Sequence, residues 1–361
     1  MSVNEVIVWL MTVFMVLGAV DRIIGNRFGL GEKFEEGILA MGSLALAMIG
    51  IISLAPVLAA LLRPVVVPLY ALVGADPAMF AGTLLANDMG GAALAMELAQ
   101  SEQAGRFGGL IVGAMLGPTV VFTIPVALGI IEEGDRPFLA RGVLAGVITI
   151  PVGSLAGGLA AGFELGMILR NLIPIVVIAL LIVLGLWKAP EGMVKGFTVF
   201  GKGVVAVITV GLAAAIVETL TGLVLIPGLA SLEEGFSTVG HIAIVLAGAF
   251  PLVFVLTKVF RKPLMTLGQV LGMNDVAAAG LVATLANNIP MFGMLRDMDE
   301  RGKIINVAFA VSAAFVFGDH LGFTAGFDAE MIFPMIVGKL VGGAAAVAVA
   351  MLMTKGEKRR G

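Results

Sequence analysis

The chain has 361 residues, 59% hydrophobic and only 13% charged, with a mean hydropathy of +1.08. A soluble domain carries about a quarter charged residues, so this composition excludes a soluble fold and points to an all-α polytopic membrane protein. The absence of cysteine excludes disulfides, thiolate metal sites and cysteine nucleophiles, two histidines are too few for a histidine-rich metal centre, and a net charge of −3 says little.

In chain order, apolar runs near the length of one crossing predict spans over 4–24, 38–62, 106–131, 138–162, 167–187, 202–224, 237–260, 303–325 and 330–354. The first lacks a basic n-region and an A-x-A cleavage site, so it reads as a retained span rather than a signal peptide. Two shorter pairs lie between the spans: 64–74 with 77–99, folded at Asp76, and 263–272 with 275–296, folded at Asp275. Each pair is short of the roughly 40 residues that two full crossings need. Each is therefore two short tilted helices or a re-entrant hairpin, which survives at membrane depth only when packed in protein or lining a cavity. The expected total is about 11–13 membrane segments.

The second half repeats the first. Glu35-Glu36-Gly37 returns as Glu233-Glu234-Gly235, and Gly42, Gly50, Leu54 and Arg63 match Gly240, Gly248, Leu252 and Arg261. After a two-residue slip, Leu85-Ala86-Asn87 meets Leu285-Ala286-Asn287, and further on Gly117 meets Gly318 and Phe122-Thr123 meets Phe323-Thr324. Helix breakers and polar residues stay in register, which shared hydrophobicity alone would not produce. The expected units are a first repeat over 1–163, a connecting helix and loop over 164–199, and a second repeat over 200–361.

Basic residues set the expected sidedness. If the C-terminal Lys355, Lys358, Arg359 and Arg360 are cytoplasmic, the loops on that side hold eighteen Lys and Arg, against Arg63, Arg106 and Arg170 on the other. That bias predicts the N-terminus outside and the C-terminus inside. Arg63 then lies outside and its mate Arg261 inside, so the repeats are inverted, and the turn at Asp76 should face the cytoplasm with that at Asp275 outward. Inverted repeats with interrupted helices are the signature of a secondary transporter, with its site near the midplane where helices break.

Four breaks in two mated pairs carry polar groups: Asn87-Asp88-Met89-Gly90-Gly91 with Asn287-Asn288-Ile289-Pro290, and Gly117-Pro118-Thr119 with Gly318-Asp319-His320. Asp88 and Asp319 are costly inside a membrane, about 2.5–3.5 kcal/mol each on insertion scales, and so are functional candidates. Acids beside carbonyl-rich helix ends suit a small cation, and Phe122 and Phe323 could add aromatic faces. The candidate substrate-binding set is Asp88, Asn87, Asp319, Asn287, Asn288, Thr119, His320, Phe122 and Phe323. Six of them have a plainer role: Asp88 and the three asparagines as caps of the breaks, Asp319 as an ion-pair partner of Lys339, and His320 as a partner of Asp319. No catalytic or metal-ligating set and no cofactor is expected. H-E-x-x-H and G-x-S-x-G are absent, which disfavours an intramembrane enzyme. The basic residues form loop anchors, not a nucleic-acid face.

The stretches from Phe34 (FEEGILAMGSLALAMIGIISLAP), Met79 (MFAGTLLANDMGGAALAMELA) and Met115 (MLGPTVVFTIPVALGIIE) resemble the ethanolamine-utilisation permeases of the EutH type. The likeness runs through most of the chain, and Asp88 followed by Met-Gly-Gly is its most distinctive piece. The resemblance implies a bacterial cytoplasmic-membrane protein, surrounded by lipid, that admits ethanolamine for catabolism; a homodimer is left open. The residues by themselves imply only a small cation, and a channel-like facilitator or an ion-coupled carrier of another organic cation is the alternative.

Overall fold

Ser2 opens the first helix, α1 (Val3–Ile23): its hydroxyl accepts from the Glu5 N–H, and the Glu5 carboxylate accepts from the Ser2 N–H. This capping box satisfies two donors that would otherwise be orphaned at the membrane edge. In the computed structural model, which describes residues 1–355, every element that follows is also helical, and no strand occurs among the described residues. Lys358, Arg359 and Arg360 of the basic tail lie outside the described residues. Asp21, buried at the end of α1, accepts from the N–H groups of Phe28, Leu30 and Gly31. It thereby fixes the tight turn into α2 (Leu30–Ala71).

Helix α2 corrects the expected spans. Residues 38–62 and 64–74 are not separate segments: one helix of 42 residues runs through Pro56, Pro64 and Pro68. At 1.5 Å per residue it is about 63 Å long, twice the hydrocarbon core. Proline removes one donor and bends a helix without having to end it when surrounding structure supports the backbone. Beyond Pro56, Leu61, Val65, Leu69 and Leu72 all face outward at helical spacing, so the extension presents an apolar stripe to lipid. The second half behaves alike: Leu232–Val270 is a single 39-residue helix through Pro251 and Pro263.

The hairpins are therefore shorter than expected and folded elsewhere. The first comprises α3 (Ala78–Leu84), a 3-10 turn over Asn87–Met89, and α4 (Gly91–Leu98). Its two ends are tied together, because the Asp76 carboxylate accepts from both the Ala78 and the Gln100 N–H. Asp76 thus marks the base, on the same side as Gln100, and the tip is Asn87-Asp88. This overturns the expected turn at Asp76. Helices of 7 and 8 residues rise only about 10–12 Å, less than half the core, so neither is long enough to cross it.

Next comes a bent span, α5 (Glu102–Ala114) and α6 (Leu116–Ile130), kinked by 41° at Met115 and wound partly as π- and 3-10-helix. Then follow α7 (Arg136–Ala160), α8 (Leu165–Lys188), α9 (Pro190–Thr221) and α10 (Leu232–Val270). The second hairpin is α11 (Asp275–Ala286) and α12 (Asn288–Gly293), closed at its base by the Asn274 N–H donating to Asp299. A broken segment, α13 (Glu300–Ala313) and α14 (Asp319–Phe327), precedes α15 (Ile332–Met353).

Among the described residues, seven helices are long and apolar enough to cross a membrane, or eight if the bent pair counts as one span. Packing falls into two groups: α1 and α9 lie along the crossed pair α2 and α10, while α7 packs on α8, α13 and α15. Asn4 donates to the Glu330 carbonyl and accepts from the Phe333 N–H, which fastens the N-terminus to the start of α15. The end of α15, at Met353, lies the whole length of that 22-residue helix away.

Candidate functional site

Glycine lets the hairpin tips reach the broken spans. A Cβ on Gly117 would sit 1.9 Å from the Leu85 carbonyl oxygen, and one on Gly318 would sit 2.1 Å from that of Ala286. In both places the backbone of a tip lies directly on the backbone of a break. The second break is a run of turns over 314–318: Phe315, at φ +64, donates its N–H to the Thr284 carbonyl, and Phe317 donates to that of Leu285. These bonds replace helical ones and hold the segment against the end of α11.

Between the first tip and the second break lies a cavity of about 250 Å³. Asp88, from the tip, and Asp319 and His320, from the start of α14, line it together with Phe122, Phe315 and Ser43. No Lys or Arg is among its lining residues. The two aromatic rings meet edge to face at 5.6 Å, and the His320 ring lies 5.2 Å from Phe315. His320 points Nε2 toward Asp88 Oδ1 at 4.0 Å. Its Nδ1 lies 3.0 Å from the Lys339 ammonium, which also donates to the Ala114 carbonyl.

A second cavity of about 280 Å³ adjoins Asp319 from the other side and is lined by Asn287, Phe254, Thr257, Glu36 and Lys33. Asp319 thus stands in the wall common to both. Lys33 and Glu36 pair with each other at its rim.

Of the nine candidates, Asp88, Asp319, His320 and Phe122 come together in the first cavity, and Asn287 lines the second while capping α12 through Ile289. The others are placed differently. Asn288 is buried, with its amide donating to Thr123. The Thr119 hydroxyl donates to the carbonyls of Met115 and Val311, a common way for a buried threonine to satisfy itself. Phe323 is buried against Phe327 and lines neither cavity. Asn87 is fully buried with neither amide atom partnered. The plainer role weighed for Asp319, an ion pair with Lys339, is not what forms, since the Lys339 ammonium is taken up by Ala114 and His320. Sequence reading missed Phe315, because an apolar run gives no sign that a bulky residue will adopt a left-handed backbone. It also missed Ser43, one small polar residue on a long apolar helix.

A family model described as "Ethanolamine utilisation protein, EutH" matches residues 3–353. The chain belongs to this family. A "Probable ethanolamine permease EutH" of Listeria monocytogenes serotype 1/2a (strain 10403S) is 69% identical over 353 residues, covering 98% of this chain and 95% of its own. A protein of the same description from Escherichia coli (strain K12) is 53% identical, covering 99% and 97%. YxeR of Bacillus subtilis (strain 168), which carries no functional description, is 54% identical over 360 residues, covering all of this chain and 97% of its own. No solved structure matches the chain. Family membership and the seven span-length apolar helices among the described residues make this a multi-pass protein of the cytoplasmic membrane.

Proposed function

We propose that the chain carries protonated ethanolamine across the cytoplasmic membrane by alternating access. The observation that carries this reading is the pair of carboxylates, Asp88 and Asp319, facing one small cavity that no basic side chain lines. An ammonium leaving water loses its hydration shell and needs charge-assisted acceptors in return. Asp88 and Asp319 supply them, Phe122 and Phe315 offer ring faces to the cation, and Ser43 is the hydroxyl partner. Asn87, next to Asp88 in the chain, is buried with an unused amide that is available when the site rearranges. The names of the relatives agree with the charge of the site.

The mechanism rests on an inverted arrangement of 1–163 and 200–361 about the 164–199 connector, with the N-terminus outside. Equivalent parts support it: a long proline-bearing helix, a short hairpin and a broken segment recur in the same order in both halves. Two inverted halves can exchange conformations, which turns a cavity open to one side into one open to the other.

The test is uptake of labelled ethanolamine into proteoliposomes, with competition by short amines and by glycolate. Amines should compete and glycolate should not; equal competition by both would sink the reading. Counterflow by preloaded ethanolamine separates a carrier from a pore.

A further inference from the structure

We propose that Lys339 is a specificity residue, a resident second cation that makes the site accept one monovalent ammonium and reject diammonium ions. The proposal rests on the reading that Asp88 and Asp319 face the substrate cation.

Lys339 lies on α15, only 1% exposed, outside the cavity lining but one side chain away from it. An ammonium has donors and no acceptor. Its two neighbours, the Ala114 carbonyl and His320 Nδ1, must therefore both accept from it. That fixes the imidazole as the tautomer with its proton on Nε2, the nitrogen turned to Asp88 at 4.0 Å. A second proton on the ring would set two cations 3.0 Å apart in a buried place, so His320 stays neutral and transmits the polarity of Lys339 to Asp88.

The charged groups around the site can then be counted. Asp88 comes from the first hairpin, Asp319 from α14 and Lys339 from α15, while Glu36 and Lys33 on α2 neutralise each other at the rim of the adjoining cavity. Two carboxylates and one ammonium leave a single negative charge. Burying net charge is costly whichever its sign. One monocation brings the site to neutrality, whereas a dication overshoots it. Without the charge of Lys339 the site would hold two negative charges, and a dication would become the balanced occupant.

The experiment measures displacement of labelled ethanolamine from purified, full-length protein by ethanolamine and by 1,3-diaminopropane, at a pH where the diamine is doubly charged. Wild type should favour ethanolamine. Lys339→Gln keeps an N–H donor for the Ala114 carbonyl but removes the charge, and the preference ratio should move toward the diamine by at least about tenfold. An unchanged ratio in folded Lys339→Gln overturns the proposal. The double variant Asp319→Asn, Lys339→Gln removes one charge of each sign, so whatever affinity it loses with the Asp319 carboxylate, its preference ratio should return toward ethanolamine. A shift toward the diamine in that variant also overturns it, even if the single variant fails to fold. Failure of the underlying reading is seen separately, as Asp88→Asn protein that binds ethanolamine with undiminished affinity.

Discussion

Gly318 and Ala286 are in backbone contact, so close that a Cβ on the glycine would lie 2.1 Å from the alanine carbonyl oxygen. Gly117 and Leu85 form the corresponding contact in the other half. Neither oxygen belongs to a flexible side chain, so a methyl group cannot be accommodated by a rotamer change. Gly117→Ala and Gly318→Ala should each cost about 1–3 kcal/mol by overpacking. They should also pull a tip away from its break, lowering uptake more than a distant change of equal cost in stability. Melting temperature in detergent together with initial uptake rates would check this, and uptake falling no further than in a stability-matched control would refute the positional role.

Asp88→Asn should weaken apparent ethanolamine affinity by roughly ten- to a hundredfold, the equivalent of a charge-assisted hydrogen bond of about 1.5–3 kcal/mol. The protein should still insert and fold, because Asp88 makes no ion pair closer than the 4.0 Å contact with His320. Normal affinity in well-folded variant protein would leave Asp88 as a structural cap.

The bases of the two hairpins offer a test of inversion. Gln103 and Arg296 are both exposed, one beside each base, and the chain has no native cysteine. Cysteines placed singly at these positions should react with an impermeant maleimide from opposite faces, Gln103→Cys from outside. Labelling of both from one face would end the inverted arrangement.

Asp135 and Lys303 form a salt bridge of 2.5 Å between the turn before α7 and the start of α13, with side chains only 6% and 12% exposed. Removing one member of a buried pair strands the other charge, so Asp135→Ala should cost about 3–5 kcal/mol. The double variant Asp135→Ala, Lys303→Met should recover most of it. Detergent melting curves for the two variants provide the measurement, and a single variant as stable as wild type would contradict it.

Local signals were legible where chemistry is local. Asn87-Asp88 and Asn287-Asn288 interrupt apolar runs; the first lies in a 3-10 turn between α3 and α4, and Asn287 is the single non-helical residue between α11 and α12. Gly-Pro at 117–118 marked a real distortion. Helix length was not legible, because Pro64 reads as a boundary in isolation and becomes a tolerated bend inside α2. The partner of Lys339 was equally hidden. A lone basic residue in an apolar segment suggests the nearest acid in the repeat, whereas the backbone break at Ala114 supplies an acceptor that no side-chain pattern announces.

The 15 residues beyond Pro56 to the end of α2 form an arm about 22 Å long, of which Arg63 grips the Glu97 carbonyl at the end of α4. A change of 15° at the proline would swing the far end by ~6 Å, the rise of one helical turn. Lipid pressing on the apolar edge of that arm would be felt at the hairpin carrying Asp88, so the thickness of the surrounding bilayer becomes a mechanical input to the cavity.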